Sequence, residues 1–311
     1  MSEKITLSEE IKSRFDADGA AFFEEQLETI KAKTYDVIHS DLKAMQLIPV
    51  STDYDPGSET ITYRSYDSVG MAKFVADYAN DFPRVDVIGT EKSVKPKDMG
   101  AAYGYSFREV DRAQKSGFPL EQRRARACKR AIDELQNQVA FKGDTATGLK
   151  GLFNITGANI AATGAAAFAS MTAEQLIAFF TGLIQCSGNL TNGKEIPDTV
   201  LMPYALANKC KATQVSSGYP KSVWQHLQET FTEITLWDTV PELQGGSTIT
   251  SGKSMCVAYR RDVDKVELAI PELYITHNPE PKGLTVEIKA TQRTAGVIAY
   301  YPMSVTYAEE A

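Results

Sequence analysis

The sequence predicts a mixed α+β fold, in which helices and strands occupy partly separate blocks of the chain. Three observations support this prediction. A helical apolar pattern covers residues 119–142, helix and strand patterns alternate over residues 170–264, and strand-like runs dominate from residue 265 onward. The chain has 311 residues and is 43% hydrophobic, so it can bury a core as one elaborate domain or two smaller ones.

The N-terminal segment is rich in helix-forming residues. Over residues 8–47 its apolar side chains recur at mixed steps of three and four, which predicts an amphipathic, partly helical arm. Turn-forming residues dominate DYDPGSE, residues 53–59, and separate this arm from the alternating run ITYRSYDSVG. Extended structure is therefore predicted to begin near residue 60.

Residues 68–112 are polar, are interrupted by glycine and lack a strong helical period over most of their length. This pattern predicts a long, strand-rich excursion from the body of the protein. A helix over residues 119–142 follows, with Pro119 suited to its first turn and Gly143 at its end. One face of this helix is strongly basic, and the opposite face carries the apolar stripe expected in the core: Cys128, Ile132, Leu135 and Val139.

Residues 144–170 are small in composition, which predicts a flexible crossover with a short strand near LFNI. The block after it alternates helices with strands and begins with Thr172 as a candidate helix cap. The last 45 residues predict three strands, a turn at HNPEPKG and no helix.

Charge and composition exclude several classes of protein. With 40 acidic and 33 basic residues, the net charge of -7 argues against a general nucleic-acid-binding protein. No apolar run approaches the ~20 residues of a membrane span, and the first residues lack the layout of a signal peptide, so we expect a cytosolic protein without a membrane partner. The cysteines are far apart and are expected to be reduced, mostly buried thiols: Cys128, Cys186, Cys210 and Cys256.

The segment STITSGKS, residues 247–254, resembles the end of a phosphate-binding loop. That loop requires glycine five residues before Gly252, where this chain has Ser247, and a helix where SMCVAYR predicts a strand. The three histidines are not at metal-ligand spacings, and the glycine-rich segments lack GxGxxG. We therefore predict no catalytic residue, no cofactor and no metal site.

The long helix carries a basic cluster formed by Arg123, Arg124, Arg126, Lys129 and Arg130. Such a cluster can contact nucleic acid, but the aromatic residues typical of single-strand binders are missing. A solvated face, or a face that meets carboxylates, is the favoured interpretation.

The order of these elements resembles the Hong Kong ninety-seven capsid fold. The local sequence narrows the resemblance to the encapsulin-like branch of phage major capsid proteins, through the segments ETITYRSYDSVGMAKFVADYANDFPRVDV, YGYSFREVDRA and PLEQRRARACKRAIDELQNQVAFKGDTATGLKGLFN. The resemblance implies an N-terminal arm at 1–50, an E-loop with its flanking strands at 51–112, and an A-domain at 170–264. It also implies a P-domain made of residues 113–169 and 265–311, with a spine helix at 119–142.

The resemblance further implies a structural, non-enzymatic subunit that assembles into the hexamers and pentamers of an icosahedral phage head. The head would enclose double-stranded DNA without sequence-specific binding, and would be assembled in the host bacterial cytoplasm. A portal and decoration proteins are further partners that the resemblance implies. The chain has no long coiled-coil-like leader, so a separate scaffolding protein, or none, is expected. An alternative is an encapsulin nanocompartment shell that encloses a cargo enzyme.

The excursion contains apolar residues that it cannot bury alone. We expect five of them to pack on a neighbouring subunit: Phe74, Val75, Tyr78, Phe82 and Val85. The alternative is that this segment forms a helix or hairpin folded onto its own domain. A third functional reading is an α/β enzyme that uses Ser254 or a cysteine as its nucleophile.

Overall fold

The computed structural model describes residues 41–69, 84, 86–109, 120–162, 164, 166–216 and 218–311. The predicted N-terminal arm lies almost wholly outside these ranges. Residues Leu42–Ala311 form one unit.

Five helices lie wholly in the described residues, and local signals set the ends of several of them. They are α1 (Ala44–Leu47), α2 (Leu120–Lys142), α3 (Ala173–Leu190), α4 (Tyr204–Ala212) and α5 (Val223–Thr230). Thr172 caps α3 in a capping box with Gln175, as its sequence predicts. Gly143 follows α2 with a φ of 72°, and a Cβ there would lie 2.6 Å from the carbonyl oxygen of Leu149, so this position requires glycine.

The strands are short, and most join small sheets. In chain order they are β1 (Val50–Ser51), β2 (Ile61–Val69), β3 (Asp86–Val94), β4 (Lys97–Ser106), β5 (Asn159–Ile160), β6 (Thr199–Met202), β7 (Gln214–Ser216), β8 (Tyr219–Ser222), β9 (Leu236–Thr239), β10 (Met255–Tyr259), β11 (Val266–Ala269), β12 (Glu272–Thr276), β13 (Glu280–Lys282), β14 (Thr285–Thr294), β15 (Gly296–Ala299) and β16 (Val305–Glu309). Two 3₁₀ turns, Pro241–Leu243 and Pro302–Ser304, interrupt them.

A five-stranded sheet with the order β5-β16-β10-β6-β9 lies at the centre of the core. Alternate residues of β10 contribute to two different clusters: Val257 and Tyr259 to one, Cys256 and Ala258 to the other. Helices α3, α4 and α5 supply much of the second cluster. Burial on both faces explains why the central strands β6 and β10 are almost entirely apolar.

The last strand of the chain, β16, lies in this sheet, antiparallel to β10. The sequence-based grouping placed it with residues 265–311 in the P-domain. Because β16 pairs with β10 of the α/β block, we propose that the P-domain ends before Val305. The limits of the domains stay a prediction. The sequence also predicted three strands after residue 265, and the structure has six, because short strands follow one another across single residues such as Ala295.

Helix α2 packs on a four-stranded sheet formed by β4, β12, β13 and β14, in which β4 pairs with β14 over ten residues. Cys128 and Ile132 are buried there with Ala290 of β14. Farther along, Val139 is buried, and Phe141 stacks on Phe153 with ring centroids 5.2 Å apart in the main core.

Leu135 is 43% exposed, so its expected place in the subunit core is wrong. The buried positions Ile132, Gln136 and Ala140 advance in steps of four, which turns the buried face away from Leu135 and leaves it at the edge of the stripe. Gln136 takes the interior position instead, and its side-chain amide has no hydrogen-bond partner within the described part of the chain.

The predicted strand at LFNI is also wrong. Leu152 and Phe153 form a buried turn, and their amides donate to the carbonyls of Ala140 and Phe141 at the end of α2. Because the helix end takes these hydrogen bonds, the segment has no sheet partner, and the strand forms later, at β5.

Candidate functional site

The most prominent surface feature is a two-stranded hairpin formed by β2 and β3. The two strands pair antiparallel from Ile61↔Val94 to Val69↔Asp86, in a sheet separate from all others. Nine residue pairs correspond to a ribbon about 30 Å long. A two-stranded ribbon of this kind gains little stability by itself.

Only the base of the hairpin joins the core. Its first residue, Ile61, is buried in a small cluster with Ala269, Ala295 and Ile298, against which Tyr54, Tyr63, Val94 and Tyr300 are partly buried. We call this set the hairpin-base cluster. The pairs Arg64↔Glu91 and Ser65↔Thr90, beyond the base, are polar, with an exposed Arg64–Glu91 ion pair and a hydrogen bond between the hydroxyls of Ser65 and Thr90.

The five predicted contact residues, Phe74, Val75, Tyr78, Phe82 and Val85, lie in the chain between β2 and β3, outside the described residues. Their packing on a neighbour therefore stays a prediction.

A basic hollow of about 630 Å³ lies beside the hairpin base. Lys92, Lys95 and Lys150 line it, and no carboxylate does. None of these three lysines forms an ion pair with any residue of the described ranges. The hollow is thus a positively charged surface whose charge is not compensated by the residues that the structure describes.

Exposed apolar side chains mark one end of the four-stranded sheet. Phe107 is 51% exposed and Leu284 is 78% exposed, and the amide of Phe107 donates to the carbonyl of Leu284 at 3.2 Å. Leu284 follows Gly283 in the turn between β13 and β14. Two neighbouring apolar side chains with this exposure are typical of a surface that another protein covers.

A second apolar patch surrounds the 3₁₀ turn Pro302–Ser304. The side chains of Asn159 and Ser187 both donate to the carbonyl of Met303, at 2.7 and 2.8 Å, which ties β5 and α3 to this turn. Ile160, Leu190 and Met303, which lie around it, are all exposed.

The loop STITSGKS has no phosphate cradle. The Ser247 hydroxyl donates to Glu309 at 2.8 Å, and both the amide and the hydroxyl of Thr250 donate to the same carboxylate, at 3.1 and 2.9 Å. Strand β10 follows the loop, as predicted from SMCVAYR. Glu309 therefore occupies the donors of this loop, and its negative charge would repel a phosphate.

The cysteines lack the features of a nucleophile. Burial raises the pKa of Cys210 to about 12 and raises the pKa of Cys256 well above its usual range. The thiolate is the reactive form, so both are inert at neutral pH. None of the four cysteines, including Cys128 and Cys186, forms a disulfide bond. Ser254, the other proposed nucleophile, accepts a bond from Gly245, and its amide donates to Glu310.

In the described part of the chain, no three His, Cys, Asp or Glu side chains are grouped as a metal site would require. Across the same ranges, no helix combines the length and apolar character needed to cross a membrane.

Comparison with known proteins adds a family and a set of similar structures. The family model described as major capsid protein matches residues 70–310. No curated protein matches the sequence. The capsid of Myoviridae phage XM1 is 17% identical, with a TM-score of 0.80 over 92% of this chain and 98% of that chain.

Two further similar structures come from other kinds of particle. The capsid of the native GTA particle is 13% identical, with a TM-score of 0.66 over 95% of this chain and 98% of that one. A virus-like particle from Pyrococcus furiosus is 11% identical, with a TM-score of 0.52 over 87% of this chain and 92% of that one.

Proposed function

The chain belongs to the major capsid protein family and has the Hong Kong ninety-seven-type capsid fold that its sequence predicts, and from this premise we propose that it is the structural subunit of an icosahedral phage head. The subunit self-assembles into hexamers and pentamers, and the closed head encloses double-stranded DNA. The hairpin is the observation that supports this function best. It is a separate two-stranded ribbon of nine residue pairs that begins at the buried Ile61, and such a ribbon adds little to the stability of one subunit and offers surface to another.

The surface pattern suits repeated contacts between copies. A closed shell brings several different surface patches of each subunit against neighbours, and many weak contacts act together. The hairpin, with the basic hollow of Lys92, Lys95 and Lys150 at its base, and the apolar pair Phe107 and Leu284 belong to different sheets of one chain. We assign the five apolar residues between β2 and β3, Phe74, Val75, Tyr78, Phe82 and Val85, to contacts with a neighbouring subunit.

The head encloses the DNA without binding it tightly. A net charge of -7 disfavours strong binding to phosphates, so free subunits are expected to bind duplex DNA weakly and without sequence preference. Nanomolar, sequence-selective binding at physiological salt would contradict the proposal. The chain acts as a structural protein and not as an enzyme. A portal, scaffolding or decoration proteins, and assembly in the bacterial cytoplasm, belong to the same proposal.

An encapsulin-like shell that encloses a cargo enzyme is the second candidate. It is favoured by the similarity to the Pyrococcus furiosus virus-like particle, whose TM-score of 0.52 is lower than the 0.80 of the phage XM1 capsid. Electron microscopy of particles purified from their native source separates the two. Large, DNA-filled heads are expected. Small shells that contain a co-purifying enzyme and no DNA would replace the phage function by the nanocompartment.

A further inference from the structure

Strand β11 divides its side chains between two faces of a small sheet. It lies between β1 and β15 in that sheet. Val266 and Leu268 point into the main core, and Ala269 points into the hairpin-base cluster. Because side chains alternate along a strand, Glu267 points to the face that the hairpin covers. It is only 3% exposed.

Glu267 is neutralised by no cation in the described ranges of the chain. Its partners are two phenols: the hydroxyls of Tyr54 and Tyr300 both donate to the carboxylate oxygen Oε1, the second at 2.6 Å. The two hydroxyl oxygens lie 3.3 Å apart. Burial, together with the hydrogen bond to Glu267, raises the pKa of Tyr300 to about 12 and also raises that of Tyr54, so both phenols keep the protons they donate.

The phenols connect this carboxylate to the hairpin. Tyr54 lies in the segment that leads into β2, and Tyr300 follows β15 directly. The ring of Tyr300 meets the ring of Tyr63, on β2, edge to face with centroids 5.2 Å apart. Tyr63 lies two residues beyond Ile61, where the hairpin leaves the core. A single oxygen atom thus holds two tyrosines of the hairpin-base cluster.

We propose that Glu267 is a positioning residue for shell assembly: its two hydrogen bonds fix the direction in which the hairpin leaves the body, so that every copy presents its hairpin to a neighbour in the same way. This role rests on the proposed shell function. Hydrogen bonds are directional whereas apolar contacts are not, and only the former can hold a narrow ribbon at a defined angle.

A purely stabilising role makes a different prediction. It would lower the overall stability of Glu267→Leu without a selective rise of hydrogen exchange in β2 and β3. In the positioning role, Glu267→Leu removes the acceptor of both phenol hydroxyls, so we expect it to lower the stability of the subunit and also to release the hairpin selectively. Glu267→Gln keeps a carbonyl oxygen as acceptor for the phenols and serves as the conservative variant.

The test compares Glu267→Leu, Glu267→Gln and Tyr300→Phe with a matched control, Tyr259→Phe. The Tyr259 hydroxyl donates to the carbonyl of Leu47 at 2.7 Å inside the main core, and the residue belongs to a different cluster from the hairpin base. Three quantities are measured: unfolding of the free subunit in urea, hydrogen exchange of the β2 and β3 amides against those of β6 and β10, and the yield and diameter of particles in electron micrographs.

We expect Glu267→Leu and Tyr300→Phe to raise exchange in β2 and β3 by about tenfold or more relative to that in β6 and β10, and to give broken or variable particles. Glu267→Gln restores most of the protection. Tyr259→Phe lowers stability without a selective change in the hairpin. Wild-type exchange in the hairpin of Glu267→Leu, or particles as uniform as those of Tyr259→Phe, would overturn the positioning role. If the unchanged chain forms no particles, the shell function fails, and hairpin exchange alone decides the role of Glu267.

Discussion

Truncation of Ile132 on the long helix α2 is expected to destabilise the subunit much more than the same truncation of Leu135. Ile132 is 2% exposed, and Leu135, three residues later, is 43% exposed. Ile132→Ala removes three carbon atoms from the interior, which at about 0.8 kcal/mol per buried CH₂ amounts to about 2.4 kcal/mol. Leu135→Ala removes the same number of atoms from a side chain already largely in water, and alanine favours the helix, so the loss stays below about 1 kcal/mol.

The surroundings of Ile132 predict that its truncation lowers the free energy of unfolding by an amount near the lower end of the range usual for isoleucine-to-alanine changes. Among the residues that the structure describes, its cluster has two other buried members, Cys128 and Ala290. Partly buried neighbours such as Tyr103 and Tyr274 can move into the space, which limits the cavity that remains. We therefore expect a loss of about 2–3 kcal/mol, a sizeable share of a total stability of about 5–15 kcal/mol.

Urea unfolding of unassembled subunits, followed by circular dichroism, measures both variants against the unchanged chain. The midpoint should fall clearly for Ile132→Ala and barely for Leu135→Ala, with a common slope. Leu135→Asp provides the sharper contrast: it should give a soluble, folded subunit, whereas Ile132→Asp buries a carboxylate without a partner and should not fold. Equal losses at the two positions would show that the buried face of α2 is misplaced.

Three further outcomes follow from the structure. Deletion of residues 72–84 should leave the subunit folded by circular dichroism, because the described core clusters lie outside this segment, and should abolish shells in sedimentation; complete shells would refute the assignment of contacts to it. Thr172→Ala removes the side-chain oxygen that caps α3 and should cost about 1 kcal/mol in urea unfolding, whereas an unchanged midpoint would show that the cap is dispensable. Alkylation of the folded subunit at neutral pH should leave Cys210 and Cys256 unmodified until urea unfolds the chain, since burial raises the pKa of both thiols; rapid modification of the native protein would contradict their burial.

The sequence was most informative where a local signal and the final fold agree. The helix predicted over residues 119–142 is present as Leu120–Lys142, because its caps and its apolar stripe are both local features. Thr172 and Gln175 form their capping box within one turn, and the strand in SMCVAYR is present as β10. The alternating run ITYRSYDSVG likewise indicated the first strand of the hairpin.

Features that depend on tertiary contacts could not be predicted in this way. The stripe on α2 includes Leu135 by spacing, and only the position of the sheet beneath it shows that Gln136 is interior instead. In VELA of β11, a glutamate between two core residues indicates a solvent-facing position on an ordinary amphipathic strand. The hairpin base covers that face, and this cover makes Glu267 a buried group.

The basic hollow also could not be predicted, because its residues are far apart in the sequence. Lys92 and Lys95 are close in sequence, but Lys150 follows the long helix, more than 50 residues later. Each lysine alone is an ordinary surface residue, since isolated charges are usually solvated. Only the packing of the loop around Gly148 against the hairpin base brings the three together.

The mass of the purified, full-length chain in solution tests the shell function most directly. Analytical ultracentrifugation of the protein in its native buffer reports that mass without any assumption about shape or partner. The account predicts closed particles of megadalton size, built from many copies of the 34.1 kDa chain. A single species at the mass of one subunit, unchanged across concentration and salt, would contradict it.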